Sequence, residues 1–333
     1  MLFGQIPLTK FHDYRRAINV EMLYAPDREK IMPAVYDFCK ATWSEDGEES
    51  RRATQEEMSE TFSTMLSGKA MSLGIETIDF IFRIEGITRI DTHQIVRNRV
   101  GVTYSQQCTG DRFLTHGNVL IEECIAKNKD VLDSVINATL ETKLAYARMI
   151  DSLDVSIQTA REITPHNFET FIFMKINLMT LIQFYSKRID DGSQTWPINI
   201  IAQQMADRVC SVYPELQKVF DKSKTSFKFQ TEASKDRTNT YSTSLYIPKN
   251  GDEFDYHDRD FLYQKTKVDM NFTNTPIDDL YYWGSTLISK EKYDTITKLY
   301  HELDILVDKE HYSNEKILEL AKELNSRIIT EII

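Results

Sequence analysis

The sequence predicts an α+β fold in which a mixed sheet packs against long helices. Three observations carry this. Residues Thr77 to Glu85 alternate with period two, setting Ile78, Phe80, Phe82 and Ile84 on one face and Asp79, Ile81, Arg83 and Glu85 on the other, the pattern of a half-buried strand. Elsewhere the apolar period is helical, as in Ile125, Leu132, Ile136, Leu140, Leu144 and Ala147. A chain of 333 residues, 41% hydrophobic and 27% charged, is globular in composition and long enough to bury a substantial core.

Taken in order, Asn19 to Tyr24 reads as a short strand and Ala25-Pro26-Asp27 as a turn. A helix then runs to about Ala41 with Met32, Val35, Phe38 and Cys39 on its apolar side, and Pro33 falls near its start, where proline is tolerated. Charged Ser44 to Arg52 reads as a loop. Thr54 with Glu57 has the form of a capping box, and Met58, Phe62 and Met65 follow at helical spacing until Gly68. The clear strand leads through Gly86 into a short helix, and a long helix is expected from about Ile121 to Leu153. Phe168 to Ile176 could be a strand or the start of a helix, after which Leu178, Leu181, Ile182 and Tyr185 suggest a helix ending near Arg188. From about Lys222, Ser, Thr, Lys and Asp predominate, predicting loops with weak strands. Asp252 to Trp283 is rich in aspartate and aromatics, and two helices, Lys290 to Asp308 and Asn314 to Ile332, close the chain. These divide the chain into a main domain over 1–221 and a mainly helical C-terminal extension over 222–333.

A formal charge of −11 disfavours a general nucleic-acid binder, which needs a net basic face to displace counterions. Nothing approaches the roughly 18 consecutive apolar residues of a membrane span, and the N-terminal MLFGQIPLTKFHDYRR lacks the apolar run of a signal peptide. Four scattered cysteines without a CxxC pair suit a reducing, cytoplasmic setting. HExxH, a Gly-rich phosphate loop and GxSxG are absent, which removes support for zinc hydrolase, P-loop and serine hydrolase chemistry.

The chemistry concentrates in His93 to Phe113, HQIVRNRVGVTYSQQCTGDRF, with Arg97, Arg99 and Arg112 among amides and hydroxyls. Residues i and i+2 share a side only in extended chain, so Arg97 and Arg99 cooperate only if any helix ends before them; Gly101 and the alternation Val100, Val102, Tyr104 suggest that it does. Paired guanidiniums offer forked donors to phosphate oxygens, and surface charge at a helix end is the alternative. A second dense region, Ala160 to Val209, sets Asn177, Gln183 and Arg188 on a largely apolar element, where a ligand or solvent must satisfy them. His93 and His166 stand alone and read as structural, and Cys108 reads either as a nucleophile beside arginines or as a packed, inert thiol.

Together the two regions resemble the flavin-dependent thymidylate synthases. That family carries Arg-His-Arg, a short spacer, Ser and a nearby Arg-Tyr, and here Arg97-Asn98-Arg99 is followed by VGVTYSQQCTGD and Arg112-Phe113. Downstream the family shows Ala-Arg, Leu-Pro, Asn-x-Arg and a helix ending in Arg; this chain has Ala160-Arg161, Thr164-Pro165, Asn177-Leu178-Met179 and Arg188, then Ser193-Gln194. The resemblance, over roughly residues 18 to 220, implies that family's fold and a homotetramer with FAD at subunit boundaries, methylenetetrahydrofolate as carbon donor and NADPH as reductant. A pyrimidine nucleotide would be the partner, activated without a cysteine nucleophile. By position, Arg97, Asn98, Arg99, Asn177 and Gln183 would hold the cofactor, and Gln94, Gln107, Arg112 and Arg161 the nucleotide. Arg188 would sit at the pyrimidine carbonyl as the catalytic group. Departures are specific: Asn98 replaces the signature histidine, Met179 an arginine, and Gly192 and Thr77 stand near two further family histidines. The implied activity is one-carbon transfer to C5 of dUMP, UMP or dCMP. C5 hydroxylation or hydroxymethylation, or a non-catalytic nucleotide-binding or assembly relative, are the alternatives.

Overall fold

The computed structural model describes residues 4–65, 72–109, 113–189, 196–223 and 278–333. Gly68, Arg112, Gly192, Ser193, Gln194 and the loops and weak strands expected over 224–277 lie outside the described residues. Strands β2 (Asn19–Tyr24), β3 (Asp79–Ile87), β6 (Thr170–Asn177) and β4 (Val102–Gln106) form, in that order, an antiparallel sheet. A second, mixed sheet runs β5 (Gly117–Ile121), β1 (Leu8–Asp13), β7 (Leu280–Trp283) and β8 (Thr286–Ile288), with β1 parallel to β5 and antiparallel to β7. Backbone bonds from Leu120 N–H to Asn167 O and from Glu169 N–H to Asn118 O, both 3.0 Å, join β5 to the segment entering β6.

The period-two stretch becomes the centre of the first sheet. Ile78, Phe80, Phe82 and Ile84 are fully buried under α2 (Arg28–Lys40), α8 (Leu178–Arg188) and α9 (Trp196–Val212). Burying each such side chain is worth about 1.5–3 kcal/mol, so this one face anchors the fold. Gly86 holds φ +68, and a Cβ there would stand 1.8 Å from the Ala17 carbonyl oxygen, so only glycine fits where the register of β3 against β6 shifts. In α2, Met32, Val35 and Cys39 are buried while Phe38 is 53% exposed, because it lies about 100° around the helix from Cys39. Pro33 is inside α2, its sixth residue, and deprives the Glu29 carbonyl of an intrahelical partner.

Among the described residues the remaining α-helices are α1 (Tyr14–Ala17), α3 (Gln55–Met65), α4 (Arg89–Ile95), α5 (Glu123–Ala126), α6 (Lys129–Asp151), α7 (Ile157–Ala160), α10 (Lys290–Glu310) and α11 (Asn314–Glu331). The expected capping box forms at α3, with Glu57 N–H on Thr54 Oγ1 at 3.2 Å and Thr54 N–H on Glu57 Oε2 at 2.8 Å. The single helix expected from Ile121 is instead β5, a one-turn α5 and α6, which starts afresh where the Asn128 side chain accepts from Val131 N–H. Helix α9 and strand β1 went unpredicted, although Ile198, Ile201, Ala202, Met205 and Val209 recur at helical spacing and are buried.

The two faces of the second sheet alternate. Leu8, Tyr281 and Trp283 pack with α10 and α11, and Phe11, Leu280 and Tyr282 with α6. Between the ends of the chain lies a polar network. His116 Nδ1 accepts from Leu8 N–H at 2.9 Å, which leaves the proton on Nε2 for Gln5 Oε1 at 2.9 Å, and the ring stacks on Tyr300 at 5.0 Å. Tyr300 donates to Asn325 Oδ1 at 2.9 Å and receives Trp283 Nε1–H at 2.9 Å, while Asn325 Nδ2 donates to Gly4 O at 2.6 Å. No helix among the described residues is long and apolar enough to cross a membrane.

Burial pushes the His116 pKa down to about 3, with Lys143 adding to it. Above the ordinary value of 6.5 both folded and unfolded rings are neutral; below it the unfolded ring takes a proton the folded ring refuses, so this group's contribution to stability falls as pH falls from 6.5 toward 3. A His116→Phe chain, destabilised at pH 7 by the orphaned Leu8 N–H, should therefore close part of its gap to wild type by about 2 kcal/mol at pH 5 in denaturant titrations. A gap constant with pH would mean that the ring titrates while folded.

Candidate functional site

Helix α4 and edge strand β4 form one unit, joined by the arginine-bearing turn. At the start of α4, Thr88 and Asp91 make a capping box, with Thr88 N–H on Asp91 Oδ2 at 2.8 Å, the Thr88 hydroxyl on the same oxygen at 2.7 Å, and the Tyr14 phenol donating to it as well. Burial raises the Asp91 pKa to about 7, and the charge of Glu122 adds to the effect. Helix and strand are then laced along their length: Arg89 Nη1 donates to Gln107 O at 3.1 Å, Gln106 Nε2 to Thr92 Oγ1 at 2.6 Å, and the Tyr104 phenol to Ile95 O at 3.0 Å.

The helix ends at Ile95, before Arg97, as the i, i+2 spacing requires. The Tyr104 phenol also reaches Asn98 O at 3.0 Å. The turn then seats on the N-terminus of α8: the Thr180 hydroxyl donates to Val100 O at 3.0 Å and Asn177 N–H to Gly101 O at 3.0 Å. Gly101 has φ +70, and a Cβ there would lie 2.4 Å from Asn177 Nδ2, so the close approach needs glycine. Asn177 is buried, and its Oδ1 caps α8 by accepting Thr180 N–H at 2.9 Å. Arg97 and Arg99 stand exposed, and no carboxylate among the described residues pairs with either.

Arg188, at the end of α8, reaches across to the open end of α4. Its Nη2 donates to Gln94 O at 3.0 Å and its Nη1 to Gln94 Oε1 at 3.5 Å, with the guanidinium 5.9 Å from the Phe184 ring centre. The first bond satisfies a carbonyl the helix leaves without a partner. Partial burial lowers the Arg188 pKa, the Arg97 charge lowers it further and Tyr104 acts in the opposite sense, yet a guanidinium keeps its proton at neutral pH.

A second group lies at the other end of β4. Gln107 Oε1 accepts from the Thr170 hydroxyl at 3.3 Å, and Gln107, Asn118, His116, Glu169 and Phe171 help line a cavity of about 300 Å³. Arg161, half-buried, brings Nη1 within 4.0 Å of Cys108 Sγ. Cys108 is exposed and not packed. His93 and His166 are also exposed, and the His166 carbonyl accepts Arg89 N–H at 3.3 Å.

The fold thus gathers Gln94, Arg97, Asn98, Asn177 and Arg188 at one end of the unit, and Gln107 with Arg161 at the other. Gln183 is exposed on α8 and, five residues before Arg188, faces about 140° away from it. Arg112 falls outside the described residues. Tyr104, Arg89 and Thr170 were not singled out as functional from sequence; only the alternation around Tyr104 hinted that its side chain turns inward. No group of ligands suited to a metal ion occurs among the described residues.

The family model described as thymidylate synthase complementing protein matches residues 22–215, which include every candidate site residue and exclude β1, β7, β8, α10 and α11. The flavin-dependent thymidylate synthase of Clostridium tetani is 29% identical over 218 residues, 60% of this chain and 86% of that one. That of Geobacter sulfurreducens is 31% identical over 205 residues, 58% of this chain and 82% of that one. A solved UMP/dUMP methylase, PolB from Streptomyces cacaoi, aligns at 15% identity with a TM-score of 0.49, covering 62% of this chain and 97% of that one.

Because Asn177 Oδ1 caps α8, Asn177→Ala should lower stability by about 1 kcal/mol in denaturant titration, and Asn177→Asp, which keeps the acceptor, should lose much less. Equal losses would mean that the cap contributes nothing.

Proposed function

The chain belongs to the flavin-dependent thymidylate synthase family, and from that premise we propose that it is an FAD-dependent enzyme transferring a one-carbon unit to C5 of a pyrimidine nucleotide, dUMP or a related nucleotide such as UMP or dCMP. The observation that carries this reading is Arg188 held on the Gln94 carbonyl and side chain at the end of α4, with Arg97 and Arg99 exposed on the adjoining turn and unopposed by any described carboxylate. Guanidiniums grouped without a paired carboxylate favour anionic ligands, and each such contact relieves part of their mutual repulsion.

The donor set fits a diphosphate-bearing flavin. Arg97 and Arg99 would hold its phosphates, with Asn98, Asn177 and Gln183 as amide contacts. Met179, half-buried against the core, offers no donor where the family carries an arginine. When bound, FAD supplies the redox chemistry of the reaction, with methylenetetrahydrofolate and NADPH as co-substrates. Gln94, Gln107, Arg112 and Arg161 hold the nucleotide. Arg188 faces the pyrimidine carbonyl, where its guanidinium stabilises the negative charge that builds as C5 becomes nucleophilic; one well-placed donor of this kind is worth on the order of 3 kcal/mol in the barrier. We assign 1–221 to the catalytic unit of a cytoplasmic homotetramer and 222–333 to an extension whose β7 pairs with β1 of that unit.

A second reading, a nucleotide-binding relative without turnover, is favoured by Met179 and Asn98 at the departures. The colour of the purified protein separates the two. The enzyme reading predicts the visible absorbance of oxidised flavin, as purified or after reconstitution with FAD, and a colourless protein that takes up no FAD would sink it. Arg188→Ala should then keep flavin and lose turnover by about a hundredfold or more; unchanged turnover would remove Arg188 from the chemistry.

A further inference from the structure

We infer that Tyr104 is the positioning residue of this anion site: its phenol clasps the Ile95 and Asn98 carbonyls and so holds Arg97 beside Arg188. The inference rests on the functional reading above. The single phenolic proton is shared between two acceptors, both at 3.0 Å, that bracket Val96 and Arg97, so one three-centre bond spans the arginine. The ring itself is fixed from behind, because Tyr104 pairs in register with Met174 of β6 and packs against the main core. Other bonds within the turn are weak: Asn98 reaches Ile95 O through its backbone and side-chain nitrogens only at 3.4 Å.

Electrostatics make such a clasp necessary. The like charges of Arg97 and Arg188 disfavour one another, a push that tends to separate them, and Arg97 stands exposed. A neutral donor on the inner side of the turn opposes this without introducing a carboxylate that would neutralise the site. Burial raises the Tyr104 pKa to about 12, so the hydroxyl keeps its proton and its role as donor across the working pH range. Tyr104 also sets the geometry of the open end of α4, where Ile95 O and Gln94 O are held by Tyr104 and Arg188 respectively. It thereby orders the two guanidiniums relative to each other before any ligand arrives, a preorganisation that appears as affinity.

The test uses the full chain with FAD and dUMP as probes. Tyr104→Phe keeps the ring and removes the clasp. Its melting temperature should stay within about 3 °C of wild type. Amide hydrogen exchange over residues 96–100 should quicken, and the Kd for FAD should rise about tenfold, the loss of roughly one hydrogen bond. In an Arg97→Ala background the same change should leave FAD affinity within about twofold, because the residue through which Tyr104 acts is gone. A wild type that binds FAD alongside a Tyr104→Phe chain that binds it equally well, or a tenfold loss that persists in the Arg97→Ala background, would overturn the inference while leaving the functional reading intact. A wild type that takes up neither FAD nor dUMP overturns the functional reading and this inference together.

Discussion

The hydrogen bonds that lace α4 onto β4 are the constraint on which the site depends. A seven-residue helix is too short to persist alone, since nucleation costs more than two turns return. Here Arg89, Gln106 and Tyr104 tie it along its length to an edge strand that is itself paired to β6, and β6 pairs with β3, whose Phe80 and Phe82 are fully buried. Rigidity therefore passes outward from Phe80 and Phe82 to the arginine turn. The sheet supplies its edge, an exposed row of backbone groups, as the place where a functional loop is mounted.

Two titratable groups, half-buried His116 and buried Asp91, respond to pH in opposite senses. His116 is held neutral where an unfolded ring would be charged, which penalises the fold on the acid side of 6.5. Asp91 keeps its proton to about 7, well above the unfolded value of 3.8, so its contribution is present at low pH and is lost as pH rises through about 7. The first lies in the network joining the two ends of the chain, and the second in the first turn of α4, the helix that leads into the arginine turn. Between 3.8 and 6.5 the two therefore oppose one another, rising pH weakening the site end and falling pH weakening the joined termini, and above about 7 neither changes further.

Much of the fold was legible in the sequence because it is written in periodicity. Strand β2, the face of β3, the end of α8 at Arg188 and both C-terminal helices follow from spacing alone, and the Thr54–Glu57 box from its capping chemistry. What failed has physical causes. The apolar period runs on from Ile125 to Leu132, so α5 and α6 read as one helix, and the Asn128 cap divides them. Strand β1 is defined by partners more than a hundred residues away, β5 and β7, which no local pattern reveals. For the site, spacing separated Arg97 and Arg99 from α4, and the family resemblance drew in Arg188. The contact of Arg188 with Gln94 across 94 residues, and the inward turn of the Tyr104 phenol, are tertiary facts.

Arg188 connects these layers: helix α8 delivers it, the open end of α4 orients it, and a nucleophilic C5 gives it a task. Replacing hydrogen at C5 by carbon expels that hydrogen as a proton, so the most direct measurement is release of tritium to water from 5-tritiated dUMP, UMP and dCMP by the flavin-loaded chain with folate and NADPH. The account predicts release from at least one of the three, dependent on flavin and lost in Arg188→Ala. A flavin-loaded chain that binds a nucleotide yet retains all its tritium would contradict it.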